Sequence, residues 1–459
     1  MKKKMSQSEL KDFERRAKKS RGNLSLPFAR ENVDEELFRE LEFGQENRSF
    51  LQNSVYPQER THKYKKLQMP LGLDTRTRKI VYLDYSSANR CRVLGMTGSG
   101  KTLLIRSIYV DRFFLSQGTS VVLSDFKPEF FVSKYPAQKK FWAQYLEDEK
   151  ACGLQVVVYY PKCFEKLIIN YDTYLKVFNK YNIVPQPISI SFSNLGMNEF
   201  MTLANREFSD TQRQFIDTLF LKKNNGELKT LEEFLHAMRT NTKYFDNSTI
   251  RSVESTFKLL TDLEVISDKH DFNLLTNLEK KRFVILTLAG WDDIKNILYY
   301  PSSFVGLFVR KIVEFKKRGF LQKTKINLIV DEAPHFVRKD SSLSSKIEIV
   351  DCIKVGRQLG ISLTFGSQDL IGLDDAVLDQ SRYIIIARTV PIQTTKEIFK
   401  RIGLFAVTSQ YEYETRVRRL MSRMRKYKDG GRDWLLVDKE NKSYCIVKTL
   451  SPLSMHKEE

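Results

Sequence analysis

The sequence predicts an α/β protein with a mostly parallel sheet, a helical insertion and a short N-terminal extension. From Leu71 onwards, short apolar segments typical of buried strands alternate with stretches of helical periodicity. Strands that alternate with helices usually form a parallel sheet covered on both faces. A chain of 459 residues with 41% hydrophobic residues is long enough for such a core and too apolar to be disordered.

Four segments follow from this pattern. Residues 1–70 form a charged extension, residues 71–194 the first part of the α/β core, residues 195–275 a helical insertion, and residues 276–459 the second part of the core. This second part ends in a basic helix and a hairpin. The predicted strands, including the two of the hairpin, are Lys79–Leu83, Arg92–Leu94, Ser120–Ser124, Gln155–Tyr159, Phe283–Leu288, Asn327–Val330, Ser362–Phe365, Tyr383–Ala387, Trp434–Val437 and Ser443–Val447.

The charge balance indicates a polyanionic partner. The 76 Lys and Arg against 56 Asp and Glu give a net charge of +20, which favours association with a polyanion such as nucleic acid. No apolar run is long enough to span a membrane. The five cysteines are scattered and never spaced as Cys-x-x-Cys, so we expect a cytoplasmic protein without a disulfide framework or a zinc site.

A phosphate-binding loop connects the second predicted strand with the helix that follows it. Residues 95–102 match the pattern G-x-x-x-x-G-K-[ST], in which backbone N–H groups surround phosphates. Lys101 would reach the β and γ phosphates, Thr102 would bind Mg²⁺, and the helix from Leu103 adds its positive dipole end. We therefore predict a RecA-like P-loop ATPase core. The predicted ATP-binding residues are Gly95, Met96, Thr97, Gly98, Ser99, Gly100, Lys101, Thr102 and Leu103.

Two acidic residues end the predicted strand Asn327–Val330. Asp331 would hold Mg²⁺ through water, and Glu332 would polarise the attacking water molecule, because a P-loop needs a carboxylate for the metal and a group that positions water. Asp125, at the end of an earlier strand, is a rival metal ligand without a following acid. We interpret Asp125 as structural, or as a residue that supports the direct metal ligands from behind.

An arginine and a glutamine flank the predicted strand Ser362–Phe365. Gln368 lies just past the end of this strand, where it could sense the γ phosphate beside the loop. Arg357 precedes the strand and could contact a phosphate in its own subunit or in a neighbouring one. We predict both residues to be catalytic.

These motifs, in this order, resemble the HerA–FtsK superfamily of ring-forming DNA-pumping ATPases, on the HerA side. The resemblance covers about residues 70–455. It rests on the strand and loop Arg92–Thr102, on Asp125–Phe130, on Asp331–His335, on Gly356–Gln368 and on the hairpin and tail Trp434–Pro452.

The resemblance implies a homohexamer with ATP between subunits and DNA in the pore. It implies site roles for Lys101, Thr102, Asp331, Glu332 and Gln368. It also implies a further arginine, Arg90 or Arg92, that serves the neighbouring subunit. HerA proteins carry an N-terminal β-barrel. Residues 1–70 are too few to form such a barrel, and their pattern is helical.

The predicted function is ATP-driven translocation of duplex DNA without sequence preference. The alternative is a conjugation, secretion or virion-packaging motor that acts on a protein or a nucleoprotein. A nuclease or a transfer-machinery protein is a candidate partner in either case.

A basic stretch near the C-terminus is the candidate contact with DNA. It contains seven basic residues on one predicted helix, with Val417, Leu420, Met421 and Met424 as a narrow apolar seam. Such a helix is either solvated or faces a polyanion. The seven are Arg416, Arg418, Arg419, Arg423, Arg425, Lys426 and Lys428.

Overall fold

The computed structural model describes residues 68–455. Gaps lie at 86–87, 117, 138–148, 150, 205, 241–244, 268–272, 291–298, 369–371, 405–409 and 428–431, and residues 299, 300 and 410 are described by their backbone alone. The predicted extension 1–70 therefore falls almost entirely outside the described residues, as does Lys428.

Twelve strands of the described chain form one sheet in the order β2-β1-β12-β11-β10-β3-β9-β8-β4-β7-β5-β6. Eight of them, from β10 to β6 in that order, run parallel, and the other four extend one side as antiparallel neighbours. The predicted mostly parallel α/β sheet is confirmed. The strands are β1 Gln68–Asp74, β2 Ile80–Asp84, β3 Arg90–Leu94, β4 Gly118–Asp125, β5 Val156–Pro161, β6 Gln186–Ile188, β7 Phe283–Thr287, β8 Lys325–Val330, β9 Ile361–Ser367, β10 Tyr383–Ala387, β11 Asp433–Asp438 and β12 Ser443–Thr449.

The central strands are buried along their whole length. Every residue of β4, β7, β9 and β10 is buried. Continuous burial is expected of parallel strands with helices on both faces, and it explains why these strands read as unbroken apolar runs in the sequence.

The helices are numbered in chain order. Helix α1 begins and ends as α-helix (Lys101–Ile105, Phe113–Leu115) around a π-helical segment, Arg106–Arg112, and two short 3₁₀ turns occupy Phe131–Lys134 and Ala333–His335. The others are α2 Phe164–Leu167, α3 Asp172–Asn179, α4 Met197–Ala204, α5 Asp210–Asn224, α6 Leu231–Thr240, α7 Asn247–Asp262, α8 Leu274–Glu279, α9 Tyr299–Lys317, α10 Ser344–Leu359, α11 Asp375–Gln380, α12 Ile392–Ile402 and α13 Gln410–Ser422.

Five of these helices, α4 to α8, follow one another between β6 and β7. Helix α4 packs on α9 and α10, and the Lys311 ammonium binds the Glu199 carboxylate there at 2.6 Å. Residues 195–275 are thus occupied by helices wherever an element is assigned in the described chain.

The C-terminal tail binds the π-helical segment of α1 through several hydrogen bonds. The buried Asp111 carboxylate accepts hydrogen bonds from the backbone N–H groups of Leu453 (2.8 Å) and Ser454 (3.1 Å) and from the Ser454 hydroxyl (2.6 Å). Arg112 donates to the Ser451 carbonyl at 3.0 Å and forms a buried ion pair with Glu149 at 2.7 Å. Helical periodicity predicted a continuous helix here. The π turn was not predicted, because its partners in the tail lie more than three hundred positions away along the chain.

The order of the strands in the sheet determines which sequence motifs lie close together. Strand β3, which leads into the phosphate loop, lies between β10 and β9, and only β9 separates it from β8. Since these strands are parallel, the segments after β3, β9, β8 and β4 all emerge at one edge of the sheet.

Candidate active site

Lys101 lies between the two predicted acids at this edge. Its ammonium is 2.9 Å from Asp331 Oδ1 and 2.8 Å from Glu332 Oε1, and the residue is only 7% exposed. Burial opposes the charge on Lys101, but the two carboxylates outweigh burial and raise its pKa above the usual value. The structure therefore brings together a charged lysine and two carboxylates from distant parts of the chain.

The backbone at the acid pair is set for this geometry. Glu332 adopts a left-handed conformation (φ 50°, ψ 48°), which is uncommon for a residue with a side chain and is typical of functional sites. Its N–H donates to Asp331 Oδ1 at 3.0 Å, and the Ser124 hydroxyl donates to the Asp331 carbonyl at 2.7 Å. Two neighbouring strands thus fix both acids.

Gln368 joins the same cluster from the end of β9. Its side-chain amide donates to Glu332 Oε1 at 3.4 Å, so Glu332 receives hydrogen bonds from both Lys101 and Gln368. Gln368, predicted to lie beside the phosphate loop, thus contacts the same acid that Lys101 contacts.

The loop itself has the open backbone that phosphate binding requires. Gly98 (φ 74°) and Gly100 (φ 84°) are left-handed, and Met96, Thr97 and Gly98 are exposed. Helix α1 starts at Lys101, directly after the loop, so its free N–H groups face the same space. The loop is thus a cradle of backbone donors at a helix N-terminus.

The donor set near the loop suits Mg²⁺. The Thr102 hydroxyl and the Asp331 carboxylate are hard oxygen ligands, the kind that this ion prefers. Gly366, on β9, keeps space for the Asp331 carboxylate, because a Cβ at this position would lie 3.1 Å from Asp331 Cγ and nearer still to Oδ1. The residues present therefore fit a magnesium ion.

Asp125 ends the neighbouring strand β4 and is fully enclosed. It is 2% exposed, accepts a hydrogen bond from the Glu129 N–H at 3.2 Å, and has a pKa well above its usual value because burial disfavours its charge. This agrees with the structural interpretation of Asp125.

Arg357 lies at the opposite edge of the sheet. It is exposed near the end of α10, before β9 begins, whereas the phosphate loop faces the end of β9. A seven-residue strand separates the two edges by roughly 20 Å, which an arginine side chain cannot bridge. Of the two predicted alternatives, the contact within its own subunit does not fit this placement.

Arg90 lies at the same edge as Arg357, at the start of β3. It donates to the Ile353 carbonyl and, at 3.4 Å, to Gln380 Oε1. Burial lowers the pKa of the Arg90 guanidinium, and the nearby positive charge of Arg357 lowers it further. The two arginines therefore share one surface, away from the phosphate loop of their own subunit.

Arg92 does not fit the role of an arginine that serves a neighbouring subunit. It is 4% exposed, in the middle of β3, and lies beneath α11 and α12. Arg90 and Arg92 point to the same face of β3, since side chains alternate along a strand. The two residues differ in their position along the strand, because Arg90 lies at its start and Arg92 in its buried middle.

Arg432 is a site residue that the sequence analysis missed. It precedes β11, and its guanidinium donates to the Gly98 carbonyl inside the phosphate loop. The signal in the sequence was weak, because Arg432 lies 334 positions from Gly98 and belongs to no recognisable motif.

The basic segment is only partly helical. Helix α13 ends at Ser422, earlier than the predicted basic helix, so Arg423, Arg425 and Lys426 lie beyond the end of the helix. Arg416 and Arg418 form ion pairs at 2.6 Å with acids one turn earlier, Glu412 and Glu414. The predicted apolar seam is confirmed: Val417, Leu420, Met421 and Met424 are all buried.

The side chains of the remaining basic residues make no ion pair with any described residue. They are Arg419, Arg423, Arg425 and Lys426, and all four are exposed. Lys426 lies near the phosphate-loop edge, because it pairs by backbone with Arg432, whose side chain contacts Gly98.

Sequence comparison places the chain in a family. Residues 71–308, just over half of the chain, match the family described as "Helicase HerA, central domain". The chain belongs to this family, within the HerA–FtsK superfamily. The members of this superfamily are P-loop motor ATPases, and the chain is one by its membership of the family. No curated protein matches its sequence.

Several solved structures are similar to the chain at low sequence identity. The chain is similar to VirB4 of Thermoanaerobacter pseudethanolicus (TM-score 0.50, 12% identity, 84% of this chain and 97% of that chain). Weaker similarities are to the bacterial conjugative coupling protein TrwBdeltaN70 (0.46, 14%, 85% and 84%) and to the genome packaging NTPase B204 from Sulfolobus turreted icosahedral virus 2 (0.34, 11%, 79% and 98%). The VirB4 similarity confirms the RecA-like P-loop fold. None of the helices in the described part of the chain is both long and apolar enough to cross a bilayer.

Proposed function

We propose that this chain hydrolyses ATP to translocate duplex DNA, independently of sequence, as a homohexameric ring with ATP between subunits. One observation carries the hydrolytic part: Lys101 contacts Asp331 and Glu332 at 2.9 and 2.8 Å, and Gln368 contacts the same Glu332. This arrangement supports the proposal, because P-loop hydrolysis needs a phosphate-binding lysine, a carboxylate for the metal and a group that positions water.

Each residue has a distinct role in this proposal. When ATP binds, Lys101 would leave its carboxylate partners and contact the β and γ phosphates. Its positive charge would remain balanced by negative charge throughout. Glu332 would then be released to polarise the attacking water, and Gln368 would hold Glu332 in place or sense the γ phosphate. Mg²⁺, held by Thr102 and through water by Asp331, would supply positive charge beside the phosphates.

We assign Arg90 and Arg357 to the neighbouring subunit's nucleotide. Both occupy the edge opposite their own phosphate loop, and a ring that repeats one interface head to tail can bring this edge to the next subunit's loop. An arginine in this position stabilises the charge that develops during phosphoryl transfer.

Mixed rings test this assignment. Neither Lys101→Ala nor Arg357→Ala protein should hydrolyse ATP alone. An equal mixture should regain turnover, because the first variant lends its arginine to the intact loop of the second. A mixture that stays inactive would exclude action between subunits, and full turnover by Arg357→Ala alone would exclude a catalytic role.

The DNA-binding part of the proposal rests on the four exposed cations after the middle of α13. Their charge is not neutralised within the described chain, they carry no base-reading motif, and the whole protein has a charge of +20. Contacts of this kind bind the phosphate backbone of DNA whatever its base sequence. If all four bind, the DNA association constant should fall by about 0.9 log units per log unit of salt for each, or roughly 3.6 in total.

The deciding experiment is ATP turnover with and without linear duplex DNA across a salt series, with Lys101→Ala as the inactive control. We expect DNA to stimulate turnover several-fold and salt to remove the stimulation. Changing Arg419, Arg423, Arg425 and Lys426 to Gln should abolish stimulation. The matched control, Arg416→Gln with Arg418→Gln, should retain it, because those two arginines are already paired. Turnover that ignores DNA would favour the alternative motor acting on a protein or nucleoprotein.

A further inference from the structure

A cavity of about 300 Å³ lies on the face of the sheet formed by β3 and β10, beneath α11 and α12. Its walls are apolar, formed by Leu373, Leu378, Ile384, Ile398 and Ile402. Four basic and three acidic residues also line it. The volume is at the lower end of the range for small-molecule sites in proteins.

Arg92 lies among the apolar walls without a partner for its charge. The residue is 4% exposed, and its Nε is buried without a hydrogen-bond partner among the described residues. No hydrogen bond or ion pair joins its guanidinium to any part of the chain that the structure describes. A buried guanidinium without partners is costly, so proteins normally pair it or use it to bind a ligand.

The other charged residues of the lining contact one another. Lys339 binds Asp375 at 2.8 Å, and Arg401 lies 3.8 Å from Asp379 and 3.5 Å from Glu397. Lys439 donates to the Asp379 carbonyl at 2.8 Å. Four positive and three negative side chains leave a net charge of +1 in the lining. The Asp379 carboxylate favours the charge on Arg92, but it also lies near Arg401 and favours the charge on Lys439.

We propose that this cavity binds a small carboxylate with an apolar body, whose carboxylate pairs with Arg92. A single negative charge would balance the lining, whereas a phosphate dianion would exceed it. The apolar walls favour a hydrocarbon part over a bare anion. Arg92 lies three residues before Gly95, on the strand that leads into the phosphate loop, so the ligand would sit behind the nucleotide site.

The test uses the full-length protein and a series of sodium acetate, butyrate and hexanoate at constant sodium concentration. Dissociation constants come from ligand-observed NMR, with hexanamide as the neutral analogue and inorganic phosphate as the bare anion. We expect binding to tighten about fourfold for each added methylene, the equivalent of about 0.8 kcal/mol. Hexanamide and phosphate should bind much more weakly than hexanoate.

Variants separate this cavity from other cationic sites. Arg92→Met should abolish hexanoate binding and should leave the thermal midpoint unchanged or higher, because it removes an unpaired buried charge. Lys101→Ala and Arg90→Met should retain binding, which distinguishes the cavity from the phosphate loop and from the neighbouring arginine. The proposal is overturned if hexanoate does not bind, if affinity does not depend on chain length, if phosphate binds as tightly as hexanoate, or if Arg92→Met binds like the unchanged protein.

Discussion

Gly366 should be essential for catalysis although it has no side chain to take part. A Cβ at position 366 would lie 3.1 Å from Asp331 Cγ and even closer to Oδ1, whereas non-bonded carbon atoms prefer about 3.5–4.0 Å. The backbone of Gly366 is not left-handed, so alanine fits the strand itself. The Asp331 carboxylate would therefore have to move by roughly 1 Å, and a misplacement of this size can cost about 10²-fold in rate.

We expect Gly366→Ala to lower kcat for ATP by about 10²-fold, or ~2.7 kcal/mol in activation free energy, with much less effect on nucleotide affinity. The assay is steady-state ATP turnover at saturating ATP and Mg²⁺, with circular dichroism and urea unfolding to confirm the fold.

The matched control is Gly306→Ala, in α9. Its Cβ would also be crowded, at 3.1 Å from the Thr202 methyl group, but far from the acids. It should lose stability and keep its turnover per folded molecule. A folded Gly366→Ala protein with unchanged kcat would refute the reasoning, because Asp331 would then not need the position that the structure gives it.

Three further predictions concern other parts of the structure. Glu332→Gln should lower kcat by about 10²–10⁴-fold while ATP still binds, measured by turnover and by fluorescent-nucleotide titration; unchanged turnover would exclude Glu332 as the group that polarises water. Arg432→Gln should weaken ATP binding about tenfold, because a charge-assisted hydrogen bond of about 1.5–3 kcal/mol no longer fixes the Gly98 carbonyl in the loop; the same titration checks this, with the paired surface residue Arg416→Gln as the control. Ser454→Ala should destabilise the protein by about 1.5–3 kcal/mol in urea unfolding, because it removes the 2.6 Å hydrogen bond to buried Asp111; an unchanged midpoint would show that the tail does not fasten α1.

Much of the fold could be predicted because its signals are local. Buried parallel strands are short, continuous apolar runs, and each observed central strand overlaps a predicted one, with Tyr383–Ala387 matched at both ends. The short edge strand β6 and the first strand β1 were not predicted. Strand β1 contains Pro and Gly, strand β6 contains Pro, and both are stabilised by pairing with a neighbouring strand.

The π-helical turn of α1 is a clear case of tertiary control. Its sequence has ordinary helical spacing, yet Arg106–Arg112 adopts a wider helix. Within it Asp111 and Arg112 bind the tail and Glu149, groups that local periodicity cannot reveal.

The three arginines that the sequence offered for phosphate contact show the limit of motif reasoning. Arg90, Arg92 and Arg357 are equivalent as residue types. The structure places Arg90 and Arg357 together at one edge and encloses Arg92 beneath two helices. Position along a strand and coverage by helices decided this, and neither is visible from spacing along the chain.

The sequence alone determined the chemistry of the site, because a phosphate loop is a property of eight consecutive residues and the acid pair a property of one strand end. Only the tertiary structure decided which of these residues meet. Lys101 reaches Asp331 and Glu332 across more than two hundred positions because β9 alone separates β3 from β8, and Arg432 reaches Gly98 across 334. Contacts between distant residues depend on strand order in the sheet, and that order is set by the packing of the whole core.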